Sequence, residues 1–282
     1  MKIALLQEKH NRLYSFEDSQ KKYQLSEVYS LMEQMEEQNL NLMKEAAEKG
    51  ADIALTTEAV NFPGQPSWVD GDIVEIIART QGNFISKCSK LAGEAGMYIA
   101  VGMYRVKEDG KLYNSILIFD RNGEIAFTYD KNFLAGAEKE YLVPGEKFPL
   151  WNSEFGKIGV CVCWDMQFPE TTRAYALQGA DLILCATWGW ESLYGQARAY
   201  ENGIYVAAGM AVPDWRDIEG VRSPSQVIAP DGTILAEGSR NSAEVVVAQI
   251  SNIQDCKESR ELRIGDLTRR FPKIKDSLKG II

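Results

Sequence analysis

The stretch KIGVCVCWDMQFPE, residues 157–170, contains the transition that decides the fold. Its first half, Lys157–Val162, is a short apolar run of the kind that forms a buried strand. A helix is expected over Pro169–Gly179, because proline is favoured in the first turn of a helix and glycine just after the last. Cys163 stands at the junction, where a strand gives way to a helix in the manner of a nucleophile elbow.

The same alternation of strands and helices extends along the chain in both directions and predicts an α/β fold. Asn122-Gly123 and Asp231-Gly232 each separate two apolar runs, which is a strong signal for a β-hairpin. Helices are expected over Ser19–Lys49, Asp72–Gly96, Pro169–Gly179 and Glu191–Asn202. Strands are expected over Lys2–Gln7, Asp52–Thr57, Met97–Val106, Tyr113–Asp120, Glu124–Asp130, Lys157–Val162, Asp181–Ala186, Ile204–Val212, Ser225–Ala229, Ile234–Glu237 and Ala243–Ile250.

Composition restricts the class of protein. The 282 residues carry a net charge of −9, and an acidic surface repels phosphate backbones, which argues against nucleic-acid binding. No stretch approaches the ~18–20 apolar residues that cross a bilayer, so no membrane partner is expected. The five cysteines are odd in number, which suits free thiols in a reducing cytoplasm. No linker divides the chain, which predicts one domain over residues 1–282, with a charged extension over residues 251–282 that packs on the surface or on a partner subunit.

Three chemically different side chains follow three expected strands. Glu58 follows the run LTT, Lys131 follows AFTYD, and Cys163 follows IGVCV. Loops at the carboxyl ends of strands carry functional groups in α/β proteins. A carboxylate can take the proton of a thiol, and an ammonium can favour the thiolate and stabilise the oxyanion that the attack creates. These residues therefore predict a nucleophilic site.

Less specific interpretations stand beside this one. Cysteine is commonly a small, inert core residue, and a glutamate or lysine at a strand end is commonly only solvated. A dyad of Cys163 with His10, the only histidine, is a further alternative, as is a metal site at Cys161 and Cys163. The acid and lysine already complete a nucleophilic set without His10, and a C-x-C pair with one distant histidine is a poor zinc set.

Five motifs in order identify the family that the sequence resembles. They are LTTE at 55–58, YNS…DRNG…YDK at 113–131, GVCVCWDMQFPE at 159–170, RAYENG at 198–203 and S…PDG at 225–232. Together they resemble the nitrilase superfamily of carbon–nitrogen hydrolases over almost the full length of the chain, in its amidase and N-carbamoylase branch. The resemblance implies a four-layer α-β-β-α sandwich that forms a homodimer or larger homo-oligomer, whereas the cytoplasmic location is expected from the free cysteines and the lack of a membrane-spanning stretch.

The resemblance also implies roles for individual residues. Cys163 would be the nucleophile, Glu58 the general base and acid, and Lys131 the oxyanion stabiliser, helped by the backbone N–H of Trp164. A second acid recurs in a segment that resembles residues 138–145, EKEYLVPG; it aligns with Glu138, and the neighbouring Glu140 remains an alternative. No metal and no organic cofactor is implied.

The substrate that this resemblance implies is a small amide or N-carbamoyl compound. Asp165, two positions after the nucleophile, favours these substrates, because true nitrilases tend to carry glutamate there. A nitrilase acting on a small nitrile remains an alternative, as does a binding protein that uses the same cleft without catalysis. Trp188, Asn61 and Tyr194 are expected to contact the substrate, although a tryptophan at such a position also commonly packs in a core or an interface.

Overall fold

A computed structural model describes residues 1–11, 13, 22–62, 64, 66–212, 222–251, 253 and 256–274. Within them the chain forms twelve strands and five α-helices. The strands are β1 (Lys2–Gln7), β2 (Ile53–Leu55), β3 (Tyr98–Val106), β4 (Leu112–Phe119), β5 (Ile125–Asp130), β6 (Leu150–Ser153), β7 (Gly156–Val162), β8 (Leu182–Thr187), β9 (Tyr205–Met210), β10 (Gln226–Ile228), β11 (Ile234–Glu237) and β12 (Glu244–Gln249). The helices are α1 (Leu25–Glu48), α2 (Ile73–Ala95), α3 (Pro169–Leu177), α4 (Ser192–Asn202) and α5 (Cys256–Ile274).

The strands form two six-stranded mixed sheets. The first sheet has the order β12-β1-β2-β3-β4-β5, and the second has the order β11-β10-β9-β8-β7-β6. Parallel pairing joins β1, β2 and β3 in one sheet and β7, β8 and β9 in the other. The remaining strands pair antiparallel with their neighbours. The predicted α/β class is confirmed.

Alternation along the strands builds the layers. Ile3 and Leu5 of β1 point into a core shared with β7 and β8 of the second sheet, while Ala4 and Leu6 point the opposite way, towards α1 and α2. On the outer face of the second sheet, Tyr175 of α3 and Ala199 of α4 pack against alternate residues of β7, β8 and β9. Because successive strand residues face opposite sides, one apolar run serves two interfaces. The result is the α-β-β-α sandwich that the motifs imply.

Local chemistry sets several boundaries close to their predicted positions. Asp72 accepts a hydrogen bond from the backbone N–H of Val74 (2.7 Å) and so caps α2, and Gly96 ends the helix with φ +59°. The two expected hairpins join β4 to β5 and β10 to β11. Gly123 and Gly232 occupy their turns with φ +84° and +87°, a conformation that favours glycine.

Two predictions at the ends of the chain need correction. The first helix begins at Leu25 rather than at Ser19, because Tyr23 instead pairs with Val69 in a short bridge; residues 19–21 lie outside the described residues. The charged tail contains a 19-residue helix, α5, that was not predicted, since its apolar positions are too few to form a clear stripe. Arg260 of α5 forms an ion pair with Asp181 (3.1 Å), at the start of β8.

No helix in the described ranges is long and apolar enough to cross a membrane.

A close approach between strands predicts the effect of one added methyl group. A Cβ at Gly102 in β3 would lie 2.3 Å from the carbonyl oxygen of Thr57 and 3.2 Å from Cα of Glu58. Gly102→Ala should therefore destabilise the protein by about 1–3 kcal/mol, as overpacking does. Gly82→Ala, on the exposed side of α2 with nothing within 4 Å, is the matched control and should stabilise by about 0.5–1 kcal/mol. Urea denaturation measures both, and shifts of the same sign would contradict the prediction.

Candidate active site

Four chain segments meet at one cavity between the two sheets. Glu58 follows β2 and Lys131 follows β5 in the first sheet, while Cys163 follows β7 and Trp188 follows β8 in the second. All four residues line a cavity of about 230 Å³. The strand-end placement that the sequence indicated therefore brings the acid, the amine and the thiol together in space.

The backbone turns sharply beside both the acid and the thiol. Cys163 has φ +44°, and Ala59, directly after Glu58, has φ +49°. These are the two described residues other than glycine with positive φ. Such a conformation costs roughly 1–3 kcal/mol and persists only where the surrounding structure holds it. The turn at Cys163 directly follows β7, the turn at Ala59 directly follows Glu58, and both Glu58 and Cys163 line the cavity.

Lys131 is the centre of a buried ionic cluster. Its Nζ donates to Oε1 of Glu58 at 2.8 Å and lies 2.8 Å from the carboxylate of Glu138. The side chains of Lys131, Glu58 and Glu138 are 1 %, 2 % and 13 % exposed, so solvent screens them little. Burial alone would lower the pKa of Lys131, but the two carboxylates outweigh burial and hold that pKa well above its usual range. The amine therefore stays an ammonium.

Glu138, rather than Glu140, is the acid in contact with Lys131. It lies in a short 3₁₀ turn, Gly136–Glu140, and its Oε2 accepts a hydrogen bond from the backbone N–H of Ala135 (2.7 Å). Glu140 is exposed. Burial raises the pKa of Glu138, although Lys131 opposes this effect.

Asn114 is a contributor to the site that the strand-end pattern did not single out. This buried residue of β4 donates from Nδ2 to Oε1 of Glu58 (2.8 Å) and, at 3.3 Å, to Oε1 of Glu138. The backbone carbonyl of Asn114 accepts a hydrogen bond from the backbone N–H of Lys131 (2.8 Å). Asn114 thus holds all three charged residues. The signal in the sequence was the Tyr113-Asn114-Ser115 run, which carried only the family resemblance.

One oxygen of Glu58 is left to interact with the thiol. Oε1 accepts from Lys131 and Asn114, whereas the buried Oε2 has no hydrogen-bond partner among the described residues. The negative charge of Glu58 raises the pKa of the Cys163 thiol, and both residues line the same cavity. A buried carboxylate oxygen with an unused acceptor, in the same cavity as a thiol, suits the role of a general base.

The thiol differs from the sequence-based expectation that the ammonium would favour a resting thiolate. Burial, and after it the charge of Glu58, raise the pKa of Cys163 to about 12, and Lys131 only partly offsets them. At rest, Cys163 is therefore a neutral thiol. The sequence identified the charged neighbours correctly but could not weigh their distances or the depth of the site.

The cavity walls combine expected and unexpected residues. Trp188, which the sequence predicts as a substrate contact, lies along the lining, and so does Trp164, whose side chain is 40 % exposed. Tyr104 and Tyr141 form another part of the wall, with their hydroxyl oxygens 3.3 Å apart. The lining also includes polar groups that position alone did not identify as substrate contacts: Gln167, and Arg222, which forms an ion pair with Glu191 at 2.9 Å.

Asn61 and Tyr194, which were expected to contact substrate, are not among the described residues that line the cavity. Asn61 is fully buried and binds the backbone of Tyr104 twice, donating to its oxygen (2.9 Å) and accepting from its nitrogen (2.8 Å). The Tyr194 hydroxyl donates to the carbonyl of Gly189 (2.6 Å). Both residues support the backbone behind the cavity, because their polar groups are already satisfied there.

The alternative nucleophilic and metal sites find little support in the geometry. Cys161 is fully buried and pairs in register with Cys185 on the neighbouring strand. The His10 ring packs edge-on against Trp188 at 6.0 Å between centroids, and His10 is not among the cavity-lining residues. In the described ranges, no three His, Cys, Asp or Glu residues are grouped so that they could hold a metal ion.

Comparison with protein families and known proteins agrees with the motifs. A family model described as carbon–nitrogen hydrolase matches residues 3–260. The omega-amidase NIT2-B of Xenopus laevis is 30 % identical over 261 residues, covering 85 % of this chain and 92 % of its own length. A probable nitrilase of Schizosaccharomyces pombe, C965.09, is 30 % identical over 219 residues, covering 67 % of this chain and 79 % of its own. The family predicted from the motifs is confirmed.

Solved structures share the fold. The NitN amidase from Neterenkonia sp. AN1 superposes with a TM-score of 0.73 at 25 % identity, covering 96 % of this chain and 99 % of its own. A carbon–nitrogen hydrolase from Helicobacter pylori G27 superposes with a TM-score of 0.73 at 21 % identity, covering 93 % and 92 %.

The charge balance at Cys163 predicts its reactivity towards iodoacetamide. Because the pKa of the thiol is raised to about 12, alkylation of Cys163 should be slow at pH 7 and should rise about tenfold per pH unit up to pH 9. Glu58→Gln removes a negative charge that raises this pKa, so alkylation at pH 8 should become faster. Glu140→Gln, at an exposed glutamate in the same loop as Glu138, is the control and should match the wild type. Slower alkylation in Glu58→Gln would contradict this charge balance.

Proposed function

The chain belongs to the carbon–nitrogen hydrolase family, and from this premise we propose that it hydrolyses the C–N bond of a small amide or N-carbamoyl compound and releases ammonia. The proposed reaction proceeds through a thioester on Cys163. Glu58, Lys131 and Glu138 are the other proposed catalytic residues. The amidases and omega-amidases among its relatives support an acyl rather than a nitrile substrate.

One arrangement carries this proposal: a buried ammonium between two carboxylates, in the same cavity as a thiol. Lys131 touches Glu58 and Glu138 at 2.8 Å each, and all three line the cavity together with Cys163. Burying three charges is costly and makes a poor source of stability on its own. A catalytic role accounts for it, because fixed charges in a water-poor site are worth more to a transition state than they are in water.

In the first half of the reaction, Glu58 takes the proton of Cys163 as the sulfur attacks the substrate carbon. Deprotonation is coupled to attack, because the resting thiol is neutral. The substrate oxygen gains negative charge, which the Lys131 ammonium and the backbone N–H of Trp164 stabilise. Losing one such donor typically costs about 2.7–4 kcal/mol of transition-state stabilisation. Glu58 then gives the proton to the leaving nitrogen, the C–N bond breaks, and ammonia departs.

In the second half, a water molecule hydrolyses the thioester. Glu58 takes a proton from the water, which attacks the thioester carbon, and the proton passes to the departing sulfur, so that Cys163 returns to its starting state. Glu138 assists by helping to hold Lys131 and by adding negative charge near the water. Lys131 and the Trp164 N–H stabilise the second oxyanion as they did the first.

The size of the cavity supports a small substrate. Its volume of about 230 Å³ lies below the roughly 300–1,000 Å³ of sites for drug-sized ligands. Tyr104, Tyr141 and Trp188 supply apolar walls, while Gln167 and Arg222 supply polar groups at the lining. The substrate class therefore fits an acyl group of a few carbon atoms that carries a polar substituent.

Two further functions use the same site. A nitrilase would attack a nitrile carbon with the same thiol, and the probable nitrilase among the relatives keeps this candidate open. A binding protein without catalysis would keep the cleft but would not need a buried base with an unused acceptor oxygen, such as Oε2 of Glu58.

We further propose that residues 1–282 form one domain, with residues 251–282 as an extension, and that the enzyme works in the cytoplasm as a homodimer or larger oligomer. The five cysteines are free, which suits a reducing compartment. Leu193 of α4 and Leu262 of α5 are 81 % and 76 % exposed on two helices that contact each other, and burial of these leucines against a partner copy would remove apolar surface from water. Sedimentation velocity measures the size of the assembly.

Ammonia release tests the proposed reaction. Primary amides, N-carbamoyl amino compounds and nitriles of a few carbon atoms are assayed with wild type and with Cys163→Ala as the blank. Release from an amide or carbamoyl compound is expected in wild type, with no release in Cys163→Ala and a normal circular dichroism spectrum. If wild type releases ammonia from nitriles alone, the protein is a nitrilase and the proposed reaction is wrong. If wild type releases no ammonia from any compound in the panel, the result favours a binding protein without catalysis.

Glu138 and Glu140 offer a matched pair of substitutions. Glu138→Gln weakens the hold on Lys131 and removes a negative charge from the site, so kcat for ammonia release should fall by about 10- to 100-fold. Glu140→Gln changes an exposed side chain in the same turn and should stay within about twofold of wild type. Equal losses in both variants, or a larger loss in Glu140→Gln, would contradict the assignment of Glu138.

A further inference from the structure

Asp165 is a buried carboxylate that is not among the cavity-lining residues and has no part in the mechanism above. It accepts three hydrogen bonds. The Tyr129 hydroxyl donates to Oδ2 at 2.8 Å, the backbone N–H of Val162 donates to Oδ2 at 2.9 Å, and the backbone N–H of Phe133 donates to Oδ1 at 2.8 Å.

The three donors flank two of the proposed catalytic residues. Tyr129 and Phe133 stand two positions before and two positions after Lys131, in the first sheet and the loop that follows it. Val162 stands directly before Cys163, at the end of β7 in the second sheet. Asp165 therefore ties the segment that carries the ammonium to the segment that carries the thiol. Its bond to Val162 also spans the turn in which Cys163 holds φ +44°.

We propose that Asp165 is a positioning residue that fixes the place of the Lys131 ammonium relative to the Cys163 thiol by binding the backbone on both sides of the cavity. This inference rests on the proposed function, since it assumes that the two groups act together. A misplacement of about 1 Å between reacting groups can cost 100-fold in rate, so a link of this kind matters to catalysis.

The geometry favours an ionised carboxylate at this position. Three donors point at the two oxygens, and a carboxylate is the side chain that only accepts. An asparagine would keep one acceptor oxygen for Tyr129 and Val162 but would turn an NH₂ group towards the N–H of Phe133. Two donors would then face each other, and the loop after Lys131 would have to move.

Ionisation of Asp165 depends on its surroundings. Burial raises its pKa to about 6, opposed by the N–H groups of Val162 and Phe133, by Lys131 and by Tyr129. The other titratable groups that face it are Cys161 of β7 and Tyr175 of α3. Burial keeps both of these neutral at working pH, because it raises their pKa values well above the usual range. Below about pH 6 Asp165 takes a proton, one accepted bond is lost, and activity should fall.

Three variants test this role through the pH profile of kcat for ammonia release. Asp165→Asn should lower kcat by at least about tenfold with KM within twofold, and should remove the loss of activity near pH 6. Tyr129→Phe removes one donor to the carboxylate, so the loss of activity should move to higher pH by about one unit. Tyr175→Phe is the control: its hydroxyl binds the carbonyl of Val160 instead, so it should lower the melting temperature and leave the profile unchanged.

Crystal structures of the same proteins supply a readout that is independent of the substrate. Lys131 Nζ should move by about 1 Å relative to Cys163 Sγ in Asp165→Asn but not in Tyr175→Phe. If wild type releases no ammonia from any compound, the proposed function fails while this distance still tests the positioning. An unchanged distance in Asp165→Asn, or a pH profile that stays at the wild-type position in Tyr129→Phe, would overturn the proposal. If Asp165→Asn does not fold, the pH profile of Tyr129→Phe still tests the proposal.

Discussion

The contact of Lys131 with two buried carboxylates is the interaction on which the rest of the site depends. Without the carboxylates, an ammonium at this depth would lose its proton or draw in water. Without the ammonium, the two carboxylates would repel each other. Glu58 and Glu138 together hold the ammonium, and the ammonium lets both acids lie inside the protein. Glu58 follows β2, Lys131 follows β5 and Glu138 lies in the turn after that, so the first sheet must be in register before the charges can meet. Removing one member would leave the others uncompensated, at a typical cost of about 3–5 kcal/mol.

Burial first, and then the same cluster, determine the protonation state of Cys163. Two negative charges and one positive charge leave a site that disfavours a resting thiolate, so Cys163 keeps its proton until a substrate is present. A neutral thiol is a poor target for adventitious electrophiles, because the thiolate is the reactive form. A substrate whose oxygen accepts charge from the attacking sulfur restores the balance at Lys131. In the proposed reaction, chemistry is thus coupled to substrate binding, because negative charge that is unfavourable on sulfur becomes favourable on the substrate oxygen beside the ammonium.

The sequence predicts much of this arrangement, and the failures have physical causes. Apolar runs and hairpin signals predict where the strands before Glu58, Lys131 and Cys163 end, because each strand is short and bounded by turn residues. The sequence could not predict that these side chains meet in one cavity, because their meeting depends on how the two sheets face each other. Tyr194, which lies shortly after Trp188 in the sequence, was predicted to contact the substrate. In the folded chain its hydroxyl instead donates to the backbone carbonyl of Gly189. The sequence does not predict helix α5, because this charged segment lacks a clear apolar stripe.

Covalent trapping tests the central claim most directly. Wild type is mixed with the amide or carbamoyl compound that it turns over, quenched in acid within one turnover, digested, and analysed by mass spectrometry. The account predicts that the peptide containing Cys163 gains the mass of the acyl group, equal to the substrate less ammonia, and that no other cysteine peptide does. Turnover without any acylated Cys163 peptide, or acylation at a different residue, would contradict it.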